Sequence, residues 1–330
     1  MRVSFLGKGG SGKTTMATSF IKYLESNNEK VLGIDADINV NLAKGLEMLS
    51  KPIGDDFDEM SKYFEKQVVE TDESLFKKLF NNFKENSINK PIIGTTPPTM
   101  QTRFIAPSLD DEFIKKFGTR NKNTAILTVG TYNEEKAGYE CYHSKLGSAI
   151  LIYNRLLDDD SLFVVSDSTA GIDSVGTSMF CVSDINIFLV EPTSKSIGVF
   201  KDFQKATSKY TVENYVIANK IRNLEDINYI KSNINENIII DFVKESEDLR
   251  KYEQGDIASL DKFVNQNNDL YKKIYTLLKS NPRDWENYYN NVKSIYTNDV
   301  NEWYNKYYSE DLTKYIDPNF SYKKVINKND

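Results

Sequence analysis

Short apolar runs alternate with amphipathic stretches along the first part of the chain. RVSFL (2–6), closed by Gly7, and VLGID (31–35) are compact apolar runs that predict buried strands. The segment between them predicts a helix from Lys13 to about residue 27. Its apolar side chains recur at helical spacing, at Met16, Phe20, Ile21 and Leu24. Strand, glycine loop, helix and strand in this order form the βαβ unit of a parallel sheet.

The same alternation returns after residue 120. Five further runs predict strands: TAILTVG (124–130), SLFVVSD (161–167), INIFLVEP (185–192), YVIANK (215–220) and NIIIDF (237–242). They lack strict apolar–polar alternation, which is typical of strands covered on both faces. Helical patterns lie near 146–157, 195–209 and 257–279. The fold class we predict is therefore α/β, with a doubly wound, mostly parallel sheet of seven or eight strands.

Two regions lack this alternation of strand and helix patterns. Residues 50–120 are rich in Lys, Glu, Phe and Asn, and we interpret them as an insertion of two or three helices and a loop within a domain spanning 1–280. Residues 281–330 predict a helical, aromatic-rich extension. Aromatic and apolar residues step by three and four along it, at Trp285, Tyr289, Val292, Tyr296, Val300, Trp303 and Tyr307.

This aromatic face has two interpretations. It packs on its own domain, or it is a surface for a partner or a second copy, because Tyr and Trp are good interface anchors. A helix lying on a membrane is disfavoured, since its polar face is acidic where anionic lipid would attract Lys and Arg. The acidic residues are Asp284, Glu286, Asp299 and Glu302.

Composition narrows the class of protein. The chain has 330 residues, 39% hydrophobic and 27% charged, as expected of a globular protein. Its net charge of −6 and the lack of a basic stripe argue against a nucleic-acid partner. Two cysteines, Cys141 and Cys181, suit a reducing compartment, and we interpret Cys181 as a core residue. We find no signal-peptide core and no membrane span, so we expect a cytoplasmic protein.

The stretch GKGGSGKTT (7–15) carries the strongest chemical signal. It contains the P-loop pattern Gly-x4-Gly-Lys-Thr between a predicted strand and a predicted helix. Its backbone N–H groups would surround phosphates, the Lys13 ammonium would neutralise them, and the Thr14 hydroxyl would bind Mg²⁺. The fold is therefore expected to be of the P-loop NTPase type. The predicted nucleotide-binding residues of the loop are Gly7, Lys8, Gly9, Gly10, Ser11, Gly12, Lys13, Thr14 and Thr15.

Carboxylates follow two other predicted strands. Asp35 and Asp37 end VLGID and begin the next loop, and Asp167 ends SLFVVSD. Strand ends of a parallel sheet meet at one edge, where ligands bind. We predict that Asp35 and Asp167 join Thr14 in holding Mg²⁺, while Asp37 orients the attacking water. Gly171, in the following STAGID, would let the backbone approach a γ-phosphate. For each aspartate alone, a helix cap or turn role stays open.

The run ANK (218–220) bears on the choice of base. The Asn219 amide can pair with an adenine edge through one donor and one acceptor, and Lys220 lies beside it. A protein that recognises guanine would have an acidic residue three positions after the asparagine. This chain has Arg222 at that position. We therefore expect ATP rather than GTP.

The loop KGGSGKTT, with its additional Lys8, resembles the deviant Walker A motif of the MinD/ParA-type ATPases of the SIMIBI class. Nitrogenase iron protein and relatives of arsenite ATPase belong to that group. The resemblance implies a homodimer formed on ATP binding, in which Lys8 crosses the interface to the partner's nucleotide. It also implies slow ATP hydrolysis, with Lys8, Lys13 and Asp37 as the catalytic residues.

Within that group, residues 1–280 are most similar to the CooC-type ATPases that insert nickel into carbon monoxide dehydrogenase. Those proteins carry a Cys-x-Cys pair that binds a metal ion in the dimer, where this chain has Cys141–Tyr142–His143. It also has Ile38 where a proline is usual. The likeness rests on DADINVNLA (35–43), GTYNEEKAGYECYHSKLGSAILIYNRLL (130–157), DSTAGID (167–173), LVEPTSKS (189–196) and ANK (218–220).

The Cys-x-His pair has two interpretations. Two copies of Cys141 and His143 across a two-fold axis would offer Cys₂His₂, a donor set for Zn²⁺ or Ni²⁺. Alternatively the metal site has been lost and Cys141 is a packing residue.

The function we expect is an ATP-dependent dimeric switch that hydrolyses ATP to ADP and phosphate and serves metal-centre maturation, with nickel as the metal, in a client metalloenzyme. One alternative is a partition or positioning ATPase acting on DNA or membrane, which would need a basic face. The other is an ATP-holding protein that docks a client through its C-terminal helix. We expect no membrane partner.

Overall fold

A computed structural model describes residues 1–65, 92–131, 142–169, 171, 173–305 and 311–329. Its eight strands are β1 (Arg2–Gly7), β2 (Val31–Asp35), β3 (Thr119–Asn121), β4 (Thr124–Thr128), β5 (Phe163–Asp167), β6 (Ile185–Val190), β7 (Glu213–Ile221) and β8 (Ile239–Lys244). They form one sheet in the order β3-β4-β2-β5-β1-β6-β7-β8. All neighbours are parallel except β3 and β4. The predicted α/β class and mostly parallel sheet are confirmed.

Helices cover both faces of the sheet. In the described part of the chain they are α1 (Lys13–Ser26), α2 (Leu42–Gly45), α3 (Phe57–Phe64), α4 (Glu112–Phe117), α5 (Tyr142–Tyr153), α6 (Asp173–Gly176), α7 (Ser194–Thr207), α8 (Leu224–Asn233), α9 (Glu247–Glu253), α10 (Ala258–Gln266), α11 (Asn268–Ser280), α12 (Trp285–Asp299) and α13 (Tyr322–Asn329). Every one of these falls short of the length and apolar character that a bilayer crossing requires.

Helices α2, α6, α8 and α9 were not predicted, and two other elements differ from the sequence prediction. The single helix expected over 257–279 is two helices, α10 and α11, which meet at Asn267. The Asn267 side chain donates to the carbonyl of Phe263, so it satisfies a terminal acceptor and ends α10. Strand β3 was not predicted, because its three residues are polar and it is a short edge strand that pairs only with β4.

The central strands are buried on both faces, which explains their continuous apolar runs. In β5, Phe163 and Val165 belong to the core layer that includes α1 and α11, whereas Val164 belongs to the layer that includes α5. Of the insertion predicted for 50–120, α3 and α4 are described, and residues 66–91 lie outside the described part of the chain.

The aromatic face of α12 packs on the rest of the chain. Tyr289, Val292 and Tyr296 of the predicted stripe are buried, whereas Trp303 is 68% exposed. Just before the helix, Arg283 pairs with the buried carboxylates of Asp158 and Asp184. Packing on its own domain is thus the interpretation that applies to most of the stripe. The domain boundary at residue 280 stays a prediction.

Candidate functional site

The predicted phosphate loop lies between β1 and α1, and two of its glycines are required by their surroundings. Gly7 has φ of 146° and Gly12 has φ of 98°, backbone angles that residues with a side chain rarely adopt. A Cβ on Gly7 would lie 2.8 Å from the carbonyl oxygen of Leu189, and one on Gly12 would lie 2.6 Å from Asn219 Nδ2. The Ser11 N–H donates to the carbonyl of Lys8 at 3.0 Å, which tightens the turn.

A cavity of about 410 Å³ opens in front of this loop, a volume suited to a small ligand. The loop contributes one wall, with Gly9, Gly10, Gly12, Lys13, Thr14 and Thr15. The opposite walls come from the segment after β2, with Asp37 and Asn39, from the segment between β5 and α6, with Thr169, from the first residue of α6, Asp173, and from α9, with Glu253. Asp37 is the residue of these opposite walls for which a role was predicted from the sequence. Asn39, Thr169 and Asp173 lie within DADINVNLA and DSTAGID, but no role was predicted for them, and Glu253 lies outside the quoted motifs.

Lys13 and Asp37 form an ion pair across the cavity. Lys13 Nζ lies 3.8 Å from Asp37 Oδ2, and the two side chains are 6% and 11% exposed. A buried ammonium requires an anion beside it. A phosphate bound in the loop would therefore pair with the Lys13 ammonium, which already lies where it can contact a negative charge.

Thr14 and Asp167 meet next to this pair. Thr14 Oγ1 donates to Asp167 Oδ2 at 2.6 Å, while Asp167 Oδ1 is buried and accepts no hydrogen bond from the described residues. Burial, followed by the nearby charge of Asp35, raises the Asp167 pKa well above its usual range. A hydroxyl and a carboxylate oxygen lacking a donor are hard oxygen ligands of the kind that Mg²⁺ takes, so these two residues fit the ion.

Asp35 has different hydrogen-bond partners from Thr14 and Asp167, the other two predicted magnesium ligands. Its carboxylate accepts the N–H of Asp37 at 3.3 Å and the N–H of Leu42 at 3.0 Å. Burial raises its pKa to about 7. Because both oxygens accept backbone hydrogen bonds, Asp35 holds the two ends of the loop that carries Asp37. Its direct role as a magnesium ligand stays a prediction.

Asn219 and Lys220 hold the phosphate loop from the end of β7. Asn219 Nδ2 donates to the carbonyl of Ser11 at 2.8 Å, and Lys220 Nζ donates to the carbonyl of Gly10 at 2.7 Å. Lys220 also pairs with Glu191 at 2.6 Å. These contacts support the loop backbone. Recognition of adenine by Asn219 stays a prediction.

Gly171 and Lys8 are two further predicted residues, the first bonded to the phosphate loop and the second within it. The Gly171 N–H donates to the carbonyl of Gly7 at 2.9 Å, which ties the segment after β5 to the phosphate loop. Lys8 is half-buried, and within the described part of the chain its ammonium makes no ion pair. Its contact with the nucleotide of a partner subunit stays a prediction.

The structure does not test the predicted transition-metal pair. Cys141 lies outside the described residues, and only the backbone of His143 is described, within α5. Across the residues that are described, no three His, Cys, Asp or Glu side chains form a group that could hold a metal ion. Cys181 is buried in the core as predicted, and burial raises its pKa well above the usual range.

This arrangement defines a P-loop nucleotide-binding protein. Residues 5–327 match the sequence model of the family described as CobQ/CobB/MinD/ParA nucleotide binding domain, and the chain belongs to this family. It is 30% identical over 258 residues to an ATP-binding protein of Methanocaldococcus jannaschii, a match that spans 77% of this chain and 88% of that protein. It is 22% identical over 231 residues to the carbon monoxide dehydrogenase accessory protein CooC of Rhodospirillum rubrum, which spans 70% and 78%.

Solved structures agree on the fold. The cell division ATPase MinD of Pyrococcus furiosus aligns with a TM-score of 0.50 at 15% identity, over 84% of this chain and 98% of that one. The septum site-determining protein MinD of Pyrococcus horikoshii, solved with Mg-ADP, has the same TM-score and identity, over 84% and 96%. The resemblance to MinD/ParA-type ATPases and to CooC is confirmed.

Proposed function

We propose that this protein is an ATP-dependent dimeric switch that hydrolyses ATP slowly. The observation that carries the proposal is the Lys13–Asp37 ion pair at 3.8 Å across a cavity walled by the phosphate loop. It puts a cation for the phosphates beside a carboxylate that can orient water. ATP is the proposed nucleotide because the M. jannaschii relative is described as an ATP-binding protein.

The chain's own side chains would divide the work of phosphoryl transfer. Lys13 stabilises the charge on the transferring phosphoryl, and Asp37 orients the water whose oxygen attacks the γ-phosphorus as the bond to the β–γ bridging oxygen breaks. ADP leaves, and the proton of the water passes to inorganic phosphate. Thr14 and Asp167 would hold Mg²⁺, which neutralises phosphate charge when bound.

The second half of the proposal is that the site is shared. Lys8 makes no ion pair within the described part of the chain. In a face-to-face dimer, Lys8 of the partner subunit would contact the phosphates in trans, as an arginine finger does. The γ-phosphate then binds the closed pair better than the open pair, so hydrolysis reopens it.

The test is Lys8→Ala, with Lys272→Ala as a control that removes an exposed lysine of α11. We expect the Lys8 variant to keep the ATP affinity of the monomer, to stay monomeric in ATP by light scattering, and to lose turnover by about 1000-fold, the scale of a trans cation. The control should match the wild type. An unchanged turnover rate in Lys8→Ala would remove the shared-site model.

The finer proposal is that the switch serves maturation of a metal centre in a client enzyme, supported by the similarity to an accessory protein of carbon monoxide dehydrogenase. Cys141 and His143 are the proposed metal ligands. Metal analysis of ATP-loaded protein would test this, with Cys141→Ser and His143→Ala alongside the wild type. One Ni²⁺ or Zn²⁺ per dimer, lost in both variants, is expected. Metal-free wild type would end the nickel proposal and leave the ATPase switch standing.

One observation favours a second candidate, an ATP-holding protein that docks a client through its C-terminal helix. Trp303, in the π-helical turn Val300–Tyr304 that follows α12, is 68% exposed, while most of the aromatic stripe is buried. Undegraded ATP after prolonged incubation would favour this function over the hydrolytic switch. Pelleting with DNA or anionic vesicles in ATP would instead support a partition or positioning role.

A further inference from the structure

The Asp37 carboxylate is held by a residue that no motif assigns. Both the backbone N–H of Asn39 and its side-chain amide donate to Asp37 Oδ1, at 2.9 Å and 2.7 Å. The other oxygen, Oδ2, is the one that lies 3.8 Å from Lys13 Nζ. The two oxygens of one carboxylate therefore have separate partners, and only Oδ2 faces the phosphate-binding lysine.

The Asn39 side chain has little structural purpose apart from this contact. It is exposed and lines the cavity, so it contributes little to core packing. Its amide could bond to water equally well, yet it turns back to the carboxylate two residues earlier. A hydrogen bond to a charged acceptor is stronger than one between neutral groups, and it fixes the rotation of the carboxylate.

The backbone around this contact is strained. Val40 has φ of 50°, which is an outlier for a β-branched residue, and its N–H donates to the carbonyl of Asp37 at 3.2 Å. Asp35 holds both ends of the same loop through the N–H groups of Asp37 and Leu42. Strain of this kind persists only where neighbouring contacts enforce it, and it clusters at functional sites.

We propose that Asn39 is a positioning residue for Asp37. It holds Oδ1 so that Oδ2 alone is presented to the water that attacks the γ-phosphate. This inference rests on the proposed ATPase function, since it gives Asn39 a role only through Asp37. A misplaced acceptor slows a reaction even when substrate binds normally, because orientation is needed in the transition state.

The test compares Asn39→Ala and Asn39→Asp with the wild type in steady-state ATP hydrolysis. Asn39→Asp keeps the size of the side chain but replaces the N–H donor with an oxygen that repels Asp37. We expect kcat to fall about 10- to 100-fold in both, the scale of one hydrogen bond to a charged group, with KM for ATP changed less than about threefold. The melting temperature should stay unchanged, because the side chain is exposed.

Asn41→Ala is the matched control for losing an amide from the cavity wall. Asn41 lines the same cavity, and its side chain makes no hydrogen bond to Asp37. We expect the kcat of Asn41→Ala to exceed that of Asn39→Ala by about tenfold, since only Asn39 acts through the carboxylate. A raised KM with unchanged kcat in Asn39→Ala would show that Asn39 binds nucleotide directly, and it would overturn the inference.

Asp37→Asn separates this inference from the function on which it rests. If Asp37→Asn retains wild-type turnover, the proposed role of Asp37 fails, and the role of Asn39 fails with it. If Asp37→Asn is inactive while Asn39→Ala has wild-type kcat, the ATPase proposal stands and only the positioning role is wrong.

Discussion

Asp35 and Asp167 lie side by side at the carboxyl ends of β2 and β5, where they are register partners on neighbouring parallel strands. Both are fully buried, yet they have different partners. Asp35 accepts backbone N–H groups at both ends of the loop after β2, whereas Asp167 accepts the Thr14 hydroxyl. One carboxylate shapes the loop that carries Asp37, and the other faces the start of α1.

The raised pKa of Asp35 predicts that the nucleotide-free protein loses stability as the pH rises. With a folded pKa of about 7 and an ordinary unfolded pKa, the folded state keeps a proton that the unfolded state releases between about pH 4 and 7. In that window the free energy of unfolding should fall by up to about 1.4 kcal/mol per pH unit from this group. Urea unfolding with EDTA at several pH values measures the slope. The Asp35→Asn variant should show a shallower slope, and an equally steep one would contradict the assignment.

Asp167→Asn should separate magnesium-dependent binding from folding. The amide cannot supply the negative charge that a divalent cation needs, so we expect Mg²⁺ to lose most of its effect on ATP affinity, by about 100-fold. The variant should fold at least as well without nucleotide, because it removes a buried carboxylate with one oxygen lacking a partner. Titration calorimetry with and without Mg²⁺ tests this. Asp160→Asn, at an exposed turn, is the control, and equal magnesium dependence in both variants would argue against Asp167 as a ligand.

Asn219→Ala should weaken the binding of ATP and GTP to the same extent. The contact that the structure shows is to the Ser11 carbonyl, and a loop that loses this support is less well organised for any triphosphate. We expect about a tenfold loss in affinity, the scale of one buried hydrogen bond. Asn186→Ala is the matched control, because it removes a buried amide that donates to the Phe180 carbonyl away from the cavity. A loss confined to ATP would instead support recognition of adenine by Asn219.

Arg283→Ala should strongly destabilise the protein. Its guanidinium donates to both carboxylates of Asp158 and Asp184, at 2.7–2.9 Å, and the variant would leave those buried charges short of a partner. Breaking a buried ion pair from one side costs about 3–5 kcal/mol. Urea unfolding measures the loss. Arg222→Ala, which breaks an exposed pair with Glu245, should shift the midpoint little, and similar shifts in both variants would contradict this account.

Most of the sheet was predictable, because a buried parallel strand needs a continuous apolar run and each run is local. Strand β3 was not, since its Thr–Arg–Asn sequence carries no apolar signal and its position is set by pairing with β4. The break between α10 and α11 was missed for a related reason. Both helices continue one amphipathic pattern, and the side-chain bond of Asn267 that ends α10 is invisible to periodicity.

The phosphate loop could be recognised from the sequence alone, because its pattern of glycines, Lys13 and Thr14 lies within nine consecutive residues between a predicted strand and a predicted helix. The sequence also placed Asp37 and Asp167 at strand ends, where a parallel sheet gathers its ligands. The contacts of each polar group, by contrast, depend on how the chain folds. Asn219 meets Ser11 across 208 residues of chain, and Asp35 turns its oxygens to the backbone rather than outward. Such pairings depend on strand order and on burial, because a buried polar group must pair with a donor or acceptor that the fold brings close to it.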